Sequence, residues 1–541
     1  MGSNRRQALR VSLAAATAAS ASLSEQLKGA GEAPVSGFPV YSVLDFGAKP
    51  DGITLNTAPL QRALDRATGL GGGVVYLPPG NYLTGTILLR DNVTLYLEAG
   101  ATIWASKNRQ DYTQRSAIYA ENVTNAAIRG RGTIDGSGTS FWKREANRWN
   151  VGEWRPAALM TLVKCANLLL EHVTVRNPPA WAIHPIECDG LSIHGISILA
   201  GIYEDDGPNT DGIDPDGCTN VRISDCYIQC GDDAIVLKCG RKRGEPGGRR
   251  ICRGVTVTNC VLITTETALK IGSESYGEFQ NITFSNCAIR DAGCGIGLWM
   301  RDGGLIDGWT VNNVSMTLTR GGQPIYMTSY PRSRLPERGQ PPDEEKPPGI
   351  VRSVMISNVE ATGCGGMFLQ GMMEKRLEGI TLENVRLHVR GGRDKKRALN
   401  TDPPYPFPVW GHRISPYGIY CRYVDDLTLR NIQVNWGTPE DAEWGSAIRC
   451  RSVNGLEIDG FVGRQSAGSD APAIVLADTR NAFIHNCWAP EGAGTFLRLE
   501  EGCQNVSLMN NDLHRAQQAT LVGPGGNANE LYAEGNRLLR R

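Results

Sequence analysis

A short segment of alternating apolar and polar residues recurs along most of the chain. Thirteen copies begin at Asn92, Asn167, Gly190, Asn220, Gly254, Asn281, Gly308, Ser353, Gly379, Asp426, Gly455, Asn481 and Asn505. Most copies start 23–34 residues after the previous one. A single copy cannot bury its own apolar face, so neighbouring copies must stack and share a core. The repeat therefore predicts a solenoid in which each copy supplies a strand of one coil.

The residues within each copy distinguish between the classes of solenoid. Leucine-rich repeats need leucine at fixed places and a helical return, and these copies have neither. An Asn or Asp late in each copy suits a tight turn or a ladder of stacked side chains. We therefore expect an all-β fold, a right-handed single-stranded parallel β-helix. A helix over Thr57–Ala67, with Leu60 and Leu64 on one face, would cap its N-terminal end.

The N-terminus differs in composition from the repeats. Arg5 and Arg6 precede a short run of small apolar residues, which is typical of a twin-arginine export signal. We predict that residues 1–36 are such a signal and a linker, and that the mature protein is periplasmic or secreted.

Residues 37–541 are expected to form a single β-helix domain. Within it, residues 37–105 would be the cap and first coils, 106–515 the catalytic coils with insertions, and 516–541 the C-terminal end. The period is broken by three long insertions, at Phe141–Pro156, Tyr330–Pro348 and Asp394–Pro416. Such insertions are either functional loops or tolerated decoration of the solenoid.

The charge and cysteine content exclude several classes of partner. The 56 basic and 56 acidic residues balance, so no overall field favours nucleic acid or an anionic membrane. No segment approaches the ~18 apolar residues that can span a bilayer. The 15 scattered cysteines are better explained as buried thiols than as a disulfide framework or a zinc site. We expect a monomer without a metal or cofactor.

Three aspartates in two neighbouring motifs are the candidate catalytic residues. Pro208–Cys218 reads PNTDGIDPDGC and contains Asp211, and Cys230–Lys238 reads CGDDAIVLK and contains Asp232 and Asp233. Clustered carboxylates suit acid and base chemistry on a bond such as a glycosidic linkage. Aspartate is also common in turns, where it caps backbone groups. Either motif alone is therefore ambiguous.

The spacing of the repeat predicts which of these side chains lie opposite one another on neighbouring coils. An offset of 34 residues between neighbouring copies places Asp232 opposite Glu266 and Asp233 opposite Thr267. Stacked strands lie about 4.8 Å apart, so opposed carboxylates would be close neighbours. Asp232 and Asp233 would nevertheless point to opposite faces of one strand unless the backbone turns, and Gly231 gives freedom for such a turn.

The same spacing predicts one further member of this column of side chains on each side. Asp211 precedes Asp232 by 21 residues, and Arg301 follows Glu266 by 35. We expect each of them to lie one further rung along the same column. Like charges stacked in this way raise the pKa of at least one carboxyl group. One group would then stay protonated as an acid while another stays ionised to activate water.

Several motifs resemble glycoside hydrolase family 28, the polygalacturonase-like enzymes, and in part its bacterial branch. The resemblance covers about Tyr41–Val434. It includes DFGAKPDG after Leu44, NPPAWAIHP at Asn177–Pro185, the two aspartate motifs, and TALKIGSES at Thr267–Ser275. It implies a glycosidase that cleaves pectic polysaccharide or oligosaccharide containing galacturonic acid.

The resemblance also implies a role for each aspartate. Asp232 matches the general acid of an inverting hydrolysis, while Asp211 and Asp233 match the residues that hold the attacking water. An inverting site needs its acid and base roughly 6.5–9.5 Å apart.

The chain departs from the family pattern at two places. Thr265–Thr267 stands where the family has G-H-G, so the histidine is absent. Gly297–Asp302 stands where the family has R-I-K, so that Arg301 matches the lysine and Trp299 replaces the arginine. Tryptophan stacks on sugar faces whereas arginine pairs with carboxylates. These departures predict a substrate other than plain polygalacturonate, such as a pectic side chain or a mixed uronate or rhamnose linkage.

Further residues are candidates for substrate binding. Asn209, Lys238 and Glu266 could contact sugar, although Asn209 could equally be a turn residue and Lys238 a solvated charge. His184 is also a candidate, but a hydrogen-bonded support beneath the cleft explains it better.

Two other functions fit the same scaffold. A polysaccharide lyase or uronate epimerase would need Ca²⁺ held by acidic side chains. A non-catalytic glycan-binding solenoid would need no stacked acids, so the paired aspartate motifs disfavour it.

Overall fold

Nearly every strand pairs in parallel with the strands about one repeat before and after it. The structure, a computed structural model, describes residues 39–145, 148–201, 207–240, 250–318, 322–332, 347–390, 401–403, 415–437 and 444–539. Tyr41–Arg541 forms one compact unit. The predicted export signal lies outside the described residues, as does most of the second and third insertions.

The strands form three parallel stacks that run along the solenoid. The stack that carries the candidate site is called the site sheet. It consists of Ile87–Leu88, Ile118–Glu121, Ala158–Val163, Trp181–Ile186, Ile235–Cys239, Thr267–Ser275, Cys294–Met300, Gln323–Thr328, Met367–Gln370, Ile474–Ala477, Thr495–Leu499, Gln518–Val522 and the first residues of Ile419–Trp436 and Ile448–Asp459.

The second stack lies on the next side of each coil. Its strands are Val40–Ser42, Gly73–Leu77, Val93–Leu97, Ala127–Gly130, Ala166–Glu171, Asp189–His194, Thr219–Ser224, Ile251–Thr258, Glu278–Arg290, Leu305–Thr317, Ile350–Gly363, Leu377–Val389, Arg480–His485, Gln504–Met509 and Leu531–Glu534, joined by the later residues of Ile419–Trp436 and Ile448–Asp459.

The third stack completes the coils. Its separate strands are Asp51–Leu55, Gly80–Thr84, Ala101–Ala105, Thr133–Asp135, Thr174–Arg176, Ser197–Leu199, Tyr227–Cys230, Val261–Thr264, Val462–Gly463, Asp512–Leu513 and Arg537–Leu538. In the middle of the solenoid, long strands such as Glu278–Arg290 bend from the second stack into the third. This arrangement confirms the predicted parallel β-helix.

Few other elements are present among the described residues. The α-helix Thr57–Gly69 buries Leu60, Ala63, Leu64 and Ala67, which confirms the predicted helix. Short 3₁₀ helices span Val43–Phe46, Arg109–Asp111, Gly138–Phe141 and Ala528–Glu530. An antiparallel hairpin, Trp142–Glu145 with Arg148–Val151, forms in the first insertion. No helix in the described part has the length and apolar character to cross a membrane.

Alternation along each strand sends apolar side chains into the shared core. On the site sheet, Ile213, Ile235, Leu269, Ile296 and Ile325 follow one another on adjacent coils, each fully buried. Outside the core, asparagines in the left-handed region form ladders at the turns, and the second of the two runs below is the predicted ladder of residues late in each copy. Their side-chain amides are hydrogen-bonded from coil to coil at 2.7–3.2 Å along the run Asn92, Asn125, Asn167 and the run Asn358, Asn384, Asn431.

The cysteines are part of this core. All fifteen lie among the described residues and are free thiols, and every one except the half-buried Cys364 is buried. Burial raises the pKa of many of these thiols, for example that of Cys487 to about 12. They act as small apolar side chains.

The core predicts a large effect of truncating an aromatic ring between coils. Phe284 is fully buried and packs edge-on against Trp309, with ring centroids 5.8 Å apart. Phe284→Ala should lower the free energy of unfolding by about 3–5 kcal/mol, because it removes apolar contacts and leaves a cavity. Phe483, which is 40% exposed, offers a matched control, and Phe483→Ala should cost less than about 1 kcal/mol. Denaturant unfolding measures both, and equal losses would contradict the assigned core.

Candidate active site

The two aspartate motifs meet on adjacent rungs of the site sheet. Ile213 pairs with Ile235, and the Gly212 N–H donates to the Asp233 carbonyl at 2.9 Å. A Cβ on Gly212 would lie 2.3 Å from the Ala234 carbonyl oxygen, so only glycine fits between these rungs. This register places Asp211 opposite Asp233, rather than opposite Asp232 as the sequence offset predicted. The predicted alignment of Asp232 with Glu266 is confirmed by the pairing 34 residues apart on the next coil.

The turn between two stacks brings the consecutive aspartates together. One strand ends at Cys230 and the next begins at Ile235, so strand alternation does not apply to Asp232 and Asp233. One carboxylate oxygen from each of Asp211, Asp232 and Asp233 lies within 4.8 Å of the other two. We call these three residues the acidic triad.

The three carboxylates have different hydrogen-bond environments. Asp233 is buried; its Oδ1 accepts from the Thr267 N–H at 3.2 Å and its Oδ2 from Lys270 Nζ at 2.5 Å. Asp211 is equally buried, and its Oδ1 has no hydrogen-bond partner among the residues that the structure describes. Asp232 is half-buried and its Oδ1 accepts from the Asp233 N–H at 2.9 Å.

These environments raise the pKa of Asp232 and Asp211. Burial, and next the charge of Asp233, raise the pKa of Asp232 to about 6. Burial and the charge of Asp232 raise the pKa of Asp211 well above its usual value. A third buried carboxyl group, Asp214, has its pKa raised to about 8 by burial. Protonated and ionised carboxyl groups can therefore coexist at this site near neutral pH.

Two buried lysines offset part of this negative charge. Lys238 Nζ lies 3.1 Å from Glu274 Oε2, 3.4 Å from Asp214 Oδ1 and 3.9 Å from Asp211 Oδ2. Burial opposes the charge of Lys238, but the surrounding carboxylates outweigh it and raise its pKa. Burial likewise disfavours the ionised form of Glu274, yet Lys238 and then Arg332 lower its pKa to about 2.

Lys270 is the second lysine, and sequence reasoning did not single it out. Besides its contact with Asp233, its Nζ lies 4.8 Å from the centroid of the Trp299 ring. Burial opposes its charge, but Asp233 outweighs burial and raises the pKa of Lys270. Lys270 occupies the same column as Asp214, two rungs later, so the spacing alone did not indicate its contact with Asp233.

Three other predicted residues lie around the triad. Asn209 is exposed in a turn with φ 58°, and its Oδ1 accepts from Arg155 Nη2 at 2.8 Å. Glu266 is exposed on the coil after Asp232. His184 Nε2 lies 3.7 Å from Asp216 Oδ2, and burial lowers the pKa of His184. This distance is too long for a hydrogen bond, so the predicted role of His184 as a hydrogen-bonded support stays a prediction.

Arg301 does not continue the column of Asp232 and Glu266, and that prediction is wrong. Met300 pairs with Ser273, which lies seven residues after Glu266. Arg301 follows Met300 and therefore lies far along the strand from the position opposite Glu266. Its side chain is fully buried, and its N–H donates to Ser275 Oγ at 2.7 Å. The prediction failed because a sequence distance of 35 residues includes a turn of unknown length as well as one coil.

Trp299 lies within the protein rather than along the cleft surface. Its side chain is only 6% exposed, and it stacks on Tyr326 with ring centroids 5.0 Å apart. A Cβ on Gly297 would lie 2.0 Å from the Trp299 ring, so the glycine makes room for the indole. Phe368 and Tyr420 continue this stack on later coils. Both faces of the Trp299 ring, toward Lys270 and toward Tyr326, are thus covered.

The first insertion braces the loop that carries Asn209. Trp142 Nε1 donates to the Pro179 carbonyl at 2.9 Å, and its ring occupies the space that a side chain at Gly207 would need. Arg155 donates to the carbonyls of Pro179 and Pro208 as well as to Asn209. This insertion is therefore attached to the site.

Chain comparisons place this site in a known family. The sequence profile of the glycosyl hydrolases family 28 matches residues 75–397, which is more than half of the chain. The chain belongs to this family. It is accordingly a glycoside hydrolase, and the lyase, epimerase and binding alternatives are not favoured.

Individual relatives agree with the assignment to family 28. A probable polygalacturonase of Vitis vinifera is 30% identical over 381 residues, which cover 64% of this chain and 74% of that protein. The fold matches the exopolygalacturonase of Thermotoga maritima (TM-score 0.55, 22% identity, 74% of this chain and 93% of that one). It also matches the family 28 exopolygalacturonase of Yersinia enterocolitica (TM-score 0.58, 21% identity, 75% and 76%). At these identities the solved structures show the fold alone.

The raised pKa of Asp232 predicts a pH-dependent effect on stability. Between about pH 4 and pH 6 the folded protein retains a proton that the unfolded chain releases, so wild-type stability falls as the pH rises. Asp232→Asn has no such penalty, and its neutral amide keeps the contact with the Asp233 N–H. The variant should match wild type near pH 4 and exceed it by about 2 kcal/mol near pH 8.

Denaturant unfolding across this pH range measures the effect. Asp45→Asn, at an exposed position, should show no pH-dependent gain. A variant that is less stable than wild type near pH 8 would contradict the assigned environment of Asp232.

Proposed function

We propose that this protein hydrolyses glycosidic bonds in pectic material that contains galacturonic acid. The observation that carries the proposal is the acidic triad, in which one half-buried carboxyl group has a pKa of about 6 and another contacts a lysine. Hydrolysis needs this combination of a proton donor and an ionised base. The polygalacturonase names of the relatives support the substrate class.

In this proposal Asp232 is the general acid. It is the most exposed member of the triad, so it can reach the leaving oxygen, and it holds a proton up to about pH 6. Asp233 and Asp211 hold the attacking water between adjacent rungs. Asp233 forms an ion pair with Lys270, and this contact suits Asp233 to be the base that takes the proton from this water.

Water attack, with inversion of the anomeric carbon, follows from the same contacts. Asp233 accepts one hydrogen bond at each oxygen, from Thr267 and Lys270, so a second lone pair on each oxygen can accept a proton from the attacking water. Burial and the charge of Asp232 raise the pKa of Asp211, which makes Asp211 a weaker nucleophile.

One observation favours a second mechanism. One carboxylate oxygen from each triad residue lies within 4.8 Å of the others, and such short oxygen-to-oxygen distances also allow a carboxyl separation below the roughly 6.5–9.5 Å of an inverting pair. Spacing of about 5 Å is typical of retaining enzymes. The anomeric configuration of the first product therefore decides between the two.

The remaining proposals concern substrate contacts and location. Asn209 and Glu266 are exposed beside the triad and are proposed to contact sugar. Lys238 and His184 lie beneath the site and are proposed to support it without touching the sugar. Trp299 and Arg301 are buried, so either could contact sugar directly only if the cleft rearranged. Export to the periplasm or medium, one domain over 37–541 and a monomeric state stay predictions from the sequence.

Product analysis tests the proposed reaction. Wild type and Asp232→Asn are incubated without added metal on polygalacturonate, galacturonate oligosaccharides and rhamnogalacturonan fragments, while NMR follows the first anomer released. Wild type should release an inverted sugar, and the variant should be slower by about 10²-fold or more because it has no acid. A retained anomer would support the second mechanism. Release that is unchanged in Asp232→Asn, or no release from any pectic substrate, would contradict the proposal.

Lys270 makes a separate prediction about pH dependence. Lys270→Met removes the cation that favours ionised Asp233, so the acid limb of kcat/KM should move upward by about one pH unit or more. Lys270→Arg keeps the positive charge, so its acid limb should lie close to the pH position of the wild-type limb. Lys164→Met, at an exposed lysine, is the matched control. If the acid limb of kcat/KM does not shift in Lys270→Met, Lys270 does not control the ionisation of the catalytic base.

A further inference from the structure

Two histidines and a glutamate converge on the surface of the second stack. Glu171 ends the strand Ala166–Glu171 and pairs directly with His194, the last residue of Asp189–His194. His172 follows Glu171 in the left-handed region (φ 61°), which turns its side chain toward His194. The two imidazole centroids lie 5.2 Å apart. One ligand atom from each of the three residues lies within 4.8 Å of the others.

The glutamate is oriented so that one oxygen remains available. Both contacts from Arg129, from Nε at 2.7 Å and from Nη2 at 2.5 Å, go to Glu171 Oε2. The other oxygen, Oε1, faces His172 Nε2 at 3.9 Å. Arg129 therefore fixes the carboxylate without occupying the oxygen that faces the histidine.

His194 is oriented from the opposite side. Its Nδ1 lies 3.0 Å from Ser224 Oγ and 3.3 Å from Asp225 Oδ2, both on the next coil. A proton on Nδ1 donated to these oxygens leaves the lone pair of the ring on Nε2. Histidines that bind metals are typically held in this way, with the far nitrogen donating to a carboxylate or another oxygen.

We propose that Glu171, His172 and His194 bind one zinc ion, with water completing the coordination. Two imidazole nitrogens and one carboxylate oxygen are a common ligand set for Zn²⁺. Tetrahedral zinc needs ligand atoms roughly 3.4 Å apart. The side chains of His172 and His194 are 45% and 40% exposed, so small rotations close the remaining distance.

The ion would link consecutive coils of the solenoid just before the coil that carries Asp211. A metal that binds only the folded state raises stability by mass action. The acidic triad is a poorer zinc site by comparison, because Lys270 contacts Asp233 directly and Lys238 lies 3.9 Å from Asp211.

Calorimetric titration tests the site on the full-length protein, without a histidine tag and stripped with EDTA. Wild type should bind one Zn²⁺, and Zn²⁺ should raise the thermal unfolding temperature. His194→Gln and His172→Asn should each weaken binding by about tenfold or more, and asparagine tolerates the positive φ at 172. Asp225→Asn, which weakens the contact to His194 Nδ1 and retains an oxygen for the Asn259 amide, should weaken zinc binding by roughly 10–100-fold.

Two controls separate this site from others. His388→Ala removes an exposed imidazole that contacts Glu360 at 2.9 Å and should leave zinc binding unchanged. Asp232→Asn should also leave it unchanged. No binding by wild type would overturn the proposal, as would full binding in the double variant of His172 and His194, or loss of binding in Asp232→Asn. None of these outcomes depends on which glycan the enzyme cleaves.

Discussion

The site depends on the parallel hydrogen bonding between neighbouring coils. Adjacent rungs are held about 4.8 Å apart, and their register is fixed by the buried aliphatic column that contains Ile213 and Ile235. Asp211 and Asp233 are opposed as a consequence of that register. The backbone cannot move the two carboxylates apart without breaking the pairing of several coils. The carboxyl groups of the site therefore differ in pKa instead of separating.

The two lysines determine how that ionisation is divided. Lys238 contacts Glu274 and Asp214 beneath the site, and Lys270 contacts Asp233 within it. Burial and next the charge of Asp233 raise the pKa of Asp232 to about 6, although the charges of Lys270 and Lys238 act to lower it. The stack of Trp299 and Tyr326 covers the far side of Lys270 and keeps its ammonium against the triad.

Local pattern was enough to predict the coils, the capping helix and the pairing of Asp232 with Glu266, since strand register repeats regularly within the sheet. Positions that follow a turn were less predictable. Asp211 lies one residue out of the expected register, and Arg301 lies in another part of the sheet. The partners of long side chains could not be predicted at all. The contact between Lys270 and Asp233 spans different columns, and the burial of Trp299 depends on the space above Gly297.

The proposed reaction requires Asp232 to carry a proton while its neighbour Asp233 is ionised. Neutron diffraction from deuterated crystals near pH 5 locates such protons directly. We expect a deuteron on a carboxyl oxygen of Asp232, none on Asp233, and three on Lys270 Nζ. A deuteron on Asp233, or a bare Asp232 carboxylate at that pH, would contradict it.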